Sequence, residues 1–121
     1  MGNVFRTGGV SYLEIPAPEP AALAEFYGAV FGWTIGGRDE EPSFEDGTGD
    51  VIGHFVAKND VAGEAGIRPY VCVADVDATL GLATGNGGEI VRSPYAEGDH
   101  LRVATFRDPA GNVVGVWQRT G

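Results

Sequence analysis

The sequence predicts an α+β fold built from two tandem βαβββ modules that form a cupped mixed β-sheet. Two observations carry this prediction. Strand-like and helix-like segments follow one another in the same order twice, and the stretch DGTGDVIGHFV (46–56) resembles DPAGNVVGVWQ (108–118). Aligning Gly53 with Gly115 also places Phe55 opposite Trp117. A lone βαβββ unit exposes one sheet face, so we expect the two sheets to lie side by side and enclose a cleft.

We expect one domain over residues 1–121, with module one at about 8–60 and module two at about 66–120. The length of 121 residues and the 43% hydrophobic content suit one globular domain with its own core. Turn residues separate the short elements throughout the chain, which contains 20 glycines and 7 prolines.

The first module starts with a strand in GVSYLEIP (9–16), and the prolines that follow it end the strand. Pro20 suits the first turn of a helix, and Gly32 suits its end. Apolar side chains at helical spacing predict the helix between them and assign its core face: Leu23, Phe26, Tyr27, Val30 and Phe31. Trp33 is also expected in the core. Three further strands are predicted at about 33–36, 43–45 and 50–57.

The second module repeats this order. A strand is predicted at 68–73, and Asp75 or Asp77 caps a helix that GNGG (85–88) ends. The core face of that helix is predicted to comprise Val76, Thr79, Leu80 and Ala83. Three more strands are predicted at 89–92, 101–107 and 113–119, and DPAGN supplies the turn between the last two.

Composition narrows the function classes. Eight basic and seventeen acidic residues give a net charge of −9. This charge disfavours binding to nucleic acid and to anionic membranes and favours binding of a cationic ligand. Scattered acidic residues also serve solubility alone. The single cysteine, Cys72, excludes an internal disulfide. The start of the chain lacks a signal-peptide pattern, and no apolar run suits a membrane span, so the expected location is the cytoplasm.

Three motifs in order resemble the vicinal oxygen chelate superfamily, which includes glyoxalase I, bleomycin-resistance proteins and extradiol dioxygenases. They are EIPAPEPAALAEFYGAVFGW (14–33), VCVADVDATLGLATGNGGEIV (71–91) and FRDPAGNVVGVWQ (106–118). The resemblance covers nearly the whole chain. It implies the glyoxalase/bleomycin-resistance/dioxygenase fold of paired βαβββ modules, usually in a homodimer.

The resemblance also implies where a divalent metal would be held. Its ligand positions fall on Tyr12 and Arg68 in the first strand of each module, on Gly115 in the closing strand, and on Gly53 as the counterpart of Gly115. Tyrosine is an uncommon ligand, arginine has no lone pair to donate, and glycine has no side chain. We therefore expect neither a metal nor another cofactor. Strand alternation also predicts that His54 points away from the face that Gly53 and Phe55 share, so that His54 and the loop residue His100 are not expected to form a substitute metal site.

The same alternation predicts an aromatic binding cleft that carries two charges. Its expected ligand-binding residues are Tyr12, Glu14, Phe55, Arg68, Tyr70 and Trp117. Phe55 and Trp117 fit a core role equally well, and Glu14 and Arg68 fit a salt bridge between the modules equally well. Cys72 is in phase with Tyr70, which allows it to face the cleft, but an inert buried thiol is the favoured expectation. No catalytic residue is assigned, because no nucleophile or phosphate-loop motif is present.

Three functions are compatible with these features. The first is a metal-free protein of the bleomycin-resistance type, which sequesters an aromatic and in some cases cationic ligand or antibiotic. The second is an enzyme of the same fold, a lyase, isomerase or dioxygenase with atypical metal ligands or with Glu14 as a base. The third is an accessory domain without a ligand. We favour the first, with a small-molecule ligand and a second copy of the chain as partners, and expect no nucleic acid or membrane partner.

Overall fold

A computed structural model describes residues 2–121 and divides the chain into two compact units, which meet in sequence between Val61 and Ala62. Each unit contains a four-stranded sheet and one helix. The predicted α+β class and the order βαβββ in each half are therefore confirmed. We call the two parts the first unit and the second unit.

The first unit has the strand order β1-β4-β3-β2. β1 pairs in parallel with β4, and the other neighbours are antiparallel. The elements are β1 (Tyr12–Pro16), α1 (Pro20–Phe31), β2 (Thr34–Arg38), β3 (Glu41–Glu45) and β4 (Ile52–Val56).

The second unit has the corresponding order β5-β8-β7-β6, with β5 parallel to β8 and the other pairs antiparallel. Its elements are β5 (Tyr70–Cys72), α2 (Val76–Gly85), β6 (Glu89–Glu97), β7 (Leu101–Arg107) and β8 (Val113–Arg119). Each sheet is thus a parallel pair extended by two antiparallel strands.

Both helices have the ends that the sequence predicts. α1 begins with Pro20 and is closed by Gly32, which adopts the left-handed conformation at φ 70° that glycine tolerates best. α2 is capped by Asp75, whose side chain accepts a hydrogen bond of 3.0 Å from the backbone N–H of Ala78. Across residues 2–121, no helix is long and apolar enough to span a membrane.

The core of the first unit is aromatic and lies between α1 and the sheet. Tyr27 of α1 contacts Phe55 of β4 with ring centroids 5.5 Å apart, and Phe44 of β3 lies 5.3 Å from Phe55. Trp33 stacks between Tyr27 and Phe44 at 5.1 and 4.8 Å. The predicted core role is confirmed for Phe26 and Tyr27, which are buried, whereas Phe31 and Trp33 are partly buried at the edge of this aromatic cluster. We call this side of each sheet its helix face and the opposite side its open face.

The core of the second unit is mainly aliphatic and contains the fully buried ring of Phe106. Along β8, Val114 and Val116 are buried on the helix face, and Phe106 of β7 lies opposite Val114 in register. The helix contributes its predicted core residues, all of them buried: Val76, Thr79, Leu80 and Ala83. Smaller side chains therefore fill the space that aromatic rings fill in the first unit.

The two loops that precede β4 and β8 differ in length. In both loops an aspartate closes the turn with its backbone N–H: Asp46 donates to the Val51 carbonyl at 2.9 Å, and Asp108 donates to the Asn112 carbonyl at 2.8 Å. Residues 46–51 therefore form a six-residue turn, whereas residues 108–112 form a five-residue turn. The first unit carries one additional residue at this point.

The additional residue corrects the predicted alignment of Gly53 with Gly115. The hydrogen bond that Ala17 donates to Val56 corresponds to the one that Val73 donates to Trp117, at 3.0 and 2.9 Å. Counting back two residues from each acceptor places His54, and not Gly53, at the position of Gly115. A shift of one residue moves every side chain of a strand to the other face. The two glycines consequently lie on opposite faces of their sheets.

Candidate functional site

The open face of the second unit contains an aromatic hollow with a volume of about 400 Å³. Four strands contribute to it, because side chains in register on neighbouring strands lie on the same face. Trp117 of β8 is in register with Val103 of β7, and Val103 is in register with Tyr95 of β6. The lining residues are Tyr70, Tyr95, Glu97, Leu101, Val103 and Trp117.

Gly115 determines where the ring of Tyr70 lies. The two residues are in register between β5 and β8, and the Tyr70 ring covers the place where a β-carbon at position 115 would stand. Any larger side chain at this position would have to push the ring aside. Tyr70 keeps 45% of its surface exposed, so one of its faces remains available to a ligand. The glycine therefore lets a tyrosine form a flat wall of the hollow.

Charged groups lie beside the aromatic walls. The guanidinium of Arg92 lies 3.6 Å from the centroid of the Tyr95 ring, a cation–π contact that occupies one face of that ring. Glu97 is exposed and lines the hollow directly. A carboxylate next to aromatic rings favours a ligand that combines a flat apolar surface with a positive charge.

The prediction that Cys72 is buried is wrong, and its inertness stays a prediction. Cys72 is exposed and lies in register with Trp117, on the same face as the hollow. Cys72 is the last residue of the short strand β5. No helix or strand of the second unit covers the open face at this point.

The open face of the first unit contains a second hollow of about 260 Å³, which includes Tyr12 and His54. The Tyr12 hydroxyl and the His54 Nδ1 atom are 2.6 Å apart, a short hydrogen bond between side chains of β1 and β4. Alternation places His54 opposite the face of Gly53 and Phe55, as predicted. The face that Gly53 and Phe55 share is the helix face, so His54 lies on the open face beside this hollow.

The predicted lining role of Phe55 is corrected for the same reason. Its side chain is fully buried and packs against Tyr27 and Phe44 beneath α1. Gly53 also faces the helix side, where an added β-carbon would meet the Leu13 carbonyl oxygen and the Phe44 ring. Phe55 therefore belongs to the core of the first unit.

The two charged residues predicted to line the cleft both have polar partners within their own units. Glu14 accepts a hydrogen bond of 3.1 Å from the Asn59 side chain and pairs with Lys58 at 3.8 Å. Arg68 donates to the Glu64 carbonyl at 3.4 Å. Because both oxygens of the Glu14 carboxylate have partners, this residue is well suited to anchoring the segment after β4.

The residues at the implied ligand positions do not fit a divalent metal. With His54 as the true counterpart of Gly115, the four positions carry one phenol, one imidazole, one guanidinium and one glycine. A metal site needs three or four convergent lone-pair donors, and these residues supply two. Within residues 2–121, no group of three or more His, Cys, Asp and Glu side chains is arranged to hold an ion.

The comparisons with known proteins agree with this architecture. A family model described as a glyoxalase-like domain matches residues 12–117, which is most of the chain. The chain belongs to the glyoxalase-like family. The glyoxalase/bleomycin resistance protein/dioxygenase family enzyme from Burkholderia phytofirmans PsJN has the same fold, with a TM-score of 0.75 at 20% identity over 89% of this chain and 96% of that one. The resemblance to the vicinal oxygen chelate superfamily is thereby confirmed.

Two relatives are similar over nearly the whole chain. The Mycobacterium bovis protein named "Putative glyoxylase CFP32" is 28% identical over 126 residues, covering 94% of this chain and 47% of that protein. The Streptomyces peucetius protein named anthracycline biosynthesis protein DnrV is 29% identical over 133 residues, covering 95% of this chain and 48% of that protein. This chain thus spans about half the length of these two relatives.

Of the six predicted ligand-binding residues, the structure brings Tyr70 and Trp117 together in the hollow of the second unit and places Tyr12 in the hollow of the first. Sequence reasoning missed four lining residues of the larger hollow: Tyr95, Glu97, Leu101 and Val103. The alternation within LRVATFR and its pairing with β8 could have indicated Leu101 and Val103, which share a face with Trp117.

Proposed function

We propose that this chain is a metal-free small-molecule binding protein that holds a flat aromatic ligand against the open face of its second unit. The observation that carries the proposal is the hollow of about 400 Å³ with walls formed by Tyr70, Tyr95 and Trp117. A volume in this range suits a small organic molecule, and aromatic walls bind flat rings through offset and edge contacts.

The charge of the site supports a ligand with a cationic group. Glu97 lines the hollow, and the chain as a whole carries a net charge of −9. Long-range attraction would therefore favour a cation over an anion. The relative from Streptomyces peucetius is named as an anthracycline biosynthesis protein. Anthracyclines are flat polycyclic aromatic compounds that carry an amino sugar, so this chemistry agrees with both features of the hollow.

The binding role is tested by titrating the purified protein with daunorubicin at low salt and following the heat of binding by calorimetry, a readout that does not depend on Trp117. Trp117→Ala and Tyr70→Ala each remove one aromatic wall, and we expect each to weaken binding by about tenfold, since a stacking contact contributes roughly 0.5–1.5 kcal/mol beyond buried area. Phe5→Ala is the matched control, because Phe5 is an aromatic residue outside the hollow with 89% of its surface exposed.

If all variants bound daunorubicin with the affinity of the wild type, the hollow would not be the binding site. No saturable binding by daunorubicin or by a set of other flat aromatic cations would favour an accessory domain without a ligand. Glu97→Gln tests the charge: we expect weaker binding of cationic ligands and unchanged binding of neutral analogues.

The proposed partners are this small-molecule ligand and a second copy of the chain. Light scattering after size-exclusion chromatography tests the dimer directly. A mass of 12.6 kDa would contradict it, because that is the mass of one chain.

A further inference from the structure

Thr105 of β7 carries a buried hydroxyl group that makes no hydrogen bond. Thr105 lies on the open face of the second unit, because it alternates with Ala104 and Phe106, which are fully buried on the helix face. Its neighbours in register are Arg92 of β6 and Gly115 of β8. Only 4% of the Thr105 surface is exposed, and among the described residues its hydroxyl has no hydrogen-bond partner.

This hydroxyl is nevertheless within reach of a ligand. In the part of the chain that the structure describes, every buried side-chain oxygen or nitrogen that is sealed from solvent has a hydrogen-bond partner. The Thr105 oxygen has none, so it must touch solvent, and α2 covers the other face of β7. The ring of Tyr70 lies over the neighbouring Gly115, and Val103, two residues away on the same face, lines the aromatic hollow. The hydroxyl therefore lies in a narrow opening at one end of the hollow.

An unpaired hydroxyl at a buried position weakens the folded state, because water solvates the same group in the unfolded chain. Buried polar groups are nearly always paired for this reason. A ligand atom that accepts a hydrogen bond from Thr105 would supply the missing partner. This gain is open only to a ligand that carries an acceptor at this point.

Arg92 makes the Thr105 end of the hollow positive. Its guanidinium contacts the Tyr95 ring at 3.6 Å and forms no ion pair with any carboxylate of the described residues. A guanidinium donates hydrogen bonds and cannot accept them. The ligand group that faces this end is therefore expected to be an acceptor and not a cation.

The negative charge of the hollow lies at its other end. Glu97 is in register with Leu101, which precedes Thr105 by four residues along β7. At about 3.4 Å per residue, the two ends are roughly 13 Å apart along the strand. The row of side chains that contains Trp117 lies between them. The hollow therefore has a positive end with an unpaired donor, a negative end, and aromatic walls between the two.

We propose that Thr105 is a specificity-determining residue of the hollow and selects a flat aromatic amine with a carbonyl group at the opposite end of its ring system. The Thr105 hydroxyl donates to the carbonyl oxygen, the rings pack against the aromatic walls, and the amine faces Glu97. The charge of Arg92 repels the amine from the Thr105 end, so the ligand binds in one direction. This inference rests on the function proposed above and adds a group that the ligand must carry.

Two probes of the same shape test this selection by calorimetry. The first is 2-acetyl-6-(aminomethyl)naphthalene, and the second, 2-isopropenyl-6-(aminomethyl)naphthalene, has a CH₂ group in place of the carbonyl oxygen. Thr105→Val replaces the hydroxyl by a methyl group. We expect the ratio of the two affinities, acetyl over isopropenyl, to be about three- to tenfold higher in the wild type than in Thr105→Val, as for one hydrogen bond. Comparing ratios cancels the difference in hydration between the probes.

Thr79 provides a matched control in the same unit. Its hydroxyl is also buried, but it donates to the Asp75 carbonyl at 2.9 Å. Thr79→Val should lower the thermal unfolding temperature and leave the ratio of the two affinities unchanged. Thr105→Val should keep or raise the unfolding temperature, because it removes an unpaired polar group from a buried position.

The outcomes separate this inference from the proposed function. If both probes bound with the same affinity ratio in the wild type and in Thr105→Val, the hollow would remain a binding site and Thr105 would not select its ligand. If daunorubicin bound the hollow and neither probe did, this inference alone would fail, whereas no binding of any of the three compounds would overturn the proposed function as well. An unfolding temperature that fell as far in Thr105→Val as in Thr79→Val would mean that the hydroxyl is already paired, which also contradicts the inference.

Discussion

The closing strands of the two units, β4 and β8, have similar sequences and present opposite faces. In β4, Gly53 and Phe55 face the helix and His54 lies on the open face. In β8, Gly115 and Trp117 lie on the open face. The same strand order and the same parallel pairing surround both strands.

The cause of this difference is the length of the preceding turn. The turn closed by Asp46 contains six residues and the turn closed by Asp108 contains five, so the strands that follow are out of phase by one residue. Sequence similarity between two copies of a module therefore does not establish which residues correspond. The length of the loop determines which face of the following strand packs into the core and which face is available to a ligand.

The largest expected effect concerns Phe55. Phe55→Ala removes a fully buried ring that packs against Tyr27 and Phe44, and we expect the free energy of unfolding to fall by about 3–5 kcal/mol. Urea denaturation measures this loss. Trp117→Ala, at the position that a simple alignment equates with Phe55, should cost less than half as much, because Trp117 is only partly buried.

Since Phe55→Ala risks leaving the chain unfolded, Phe55→Leu provides a milder version with an expected cost of about 1–2 kcal/mol. If a Phe55 variant were as stable as the wild type but no longer bound ligand, Phe55 would be a binding residue and not a core residue.

The two glycines give the next largest effect. In Gly53→Ala, the added β-carbon would collide with the Leu13 carbonyl oxygen and the Phe44 ring, and we expect a loss of about 1–3 kcal/mol in urea denaturation. Gly36→Ala is the control, because a β-carbon there meets only the Ser43 hydroxyl at 3.6 Å, an ordinary contact. Equal stability of the two variants would contradict the close packing around Gly53.

Gly115→Ala should act on binding more than on stability. Its β-carbon would collide with the Tyr70 ring, and this side chain can turn aside because 45% of its surface is exposed. We expect a loss of about 1 kcal/mol or less in unfolding free energy, with daunorubicin affinity reduced severalfold. A loss of unfolding free energy in Gly115→Ala as large as that in Gly53→Ala would contradict this prediction.

The smallest effect concerns the pH dependence of the second unit. Arg102 binds both carboxylate oxygens of Asp77 at 2.8 and 2.9 Å, and this hydrogen bonding lowers the pKa of Asp77 below its ordinary value of 3.8. A carboxylate with a lowered pKa stabilises the folded state above its unfolded pKa, and this contribution disappears as the pH falls through the folded pKa.

Asp77→Asn should therefore lower the thermal unfolding temperature slightly at pH 7, and the difference from the wild type should vanish toward pH 2. Asp60→Asn removes the same charge outside this ion pair and serves as the control. A difference between wild type and Asp77→Asn that stayed constant from pH 7 to pH 2 would exclude the ion pair as its cause.

Much of the fold could be predicted because periodicity and end signals agreed. The apolar stripe ending at Gly32 identified α1, and the bounds of β7 and β8 match those observed. β6 was predicted too short, since it continues past Pro94 to Glu97. It is an edge strand with register shifts between Arg92 and Tyr95, where a proline is tolerated.

The candidate site was harder to predict. Tyr95 was missed because it lies beyond that proline, and the exchange of roles between Phe55 and His54 follows from one residue in the turn that begins at Asp46. The alternation of side chains along a strand does not show how many residues the preceding turn contains. Without the hydrogen bonds that close the turn, the strand could be placed in either phase.

The exposure of Cys72 gives the chain a natural attachment point for a reporter. It is the only cysteine in the sequence, so a thiol-reactive dye would label one position in each chain. Its neighbour in register is Trp117, and indole rings quench many dyes on contact. A ligand that stacks on Trp117 would separate the indole from the dye, so that occupancy of the aromatic hollow could be followed as a gain in brightness without any amino-acid substitution.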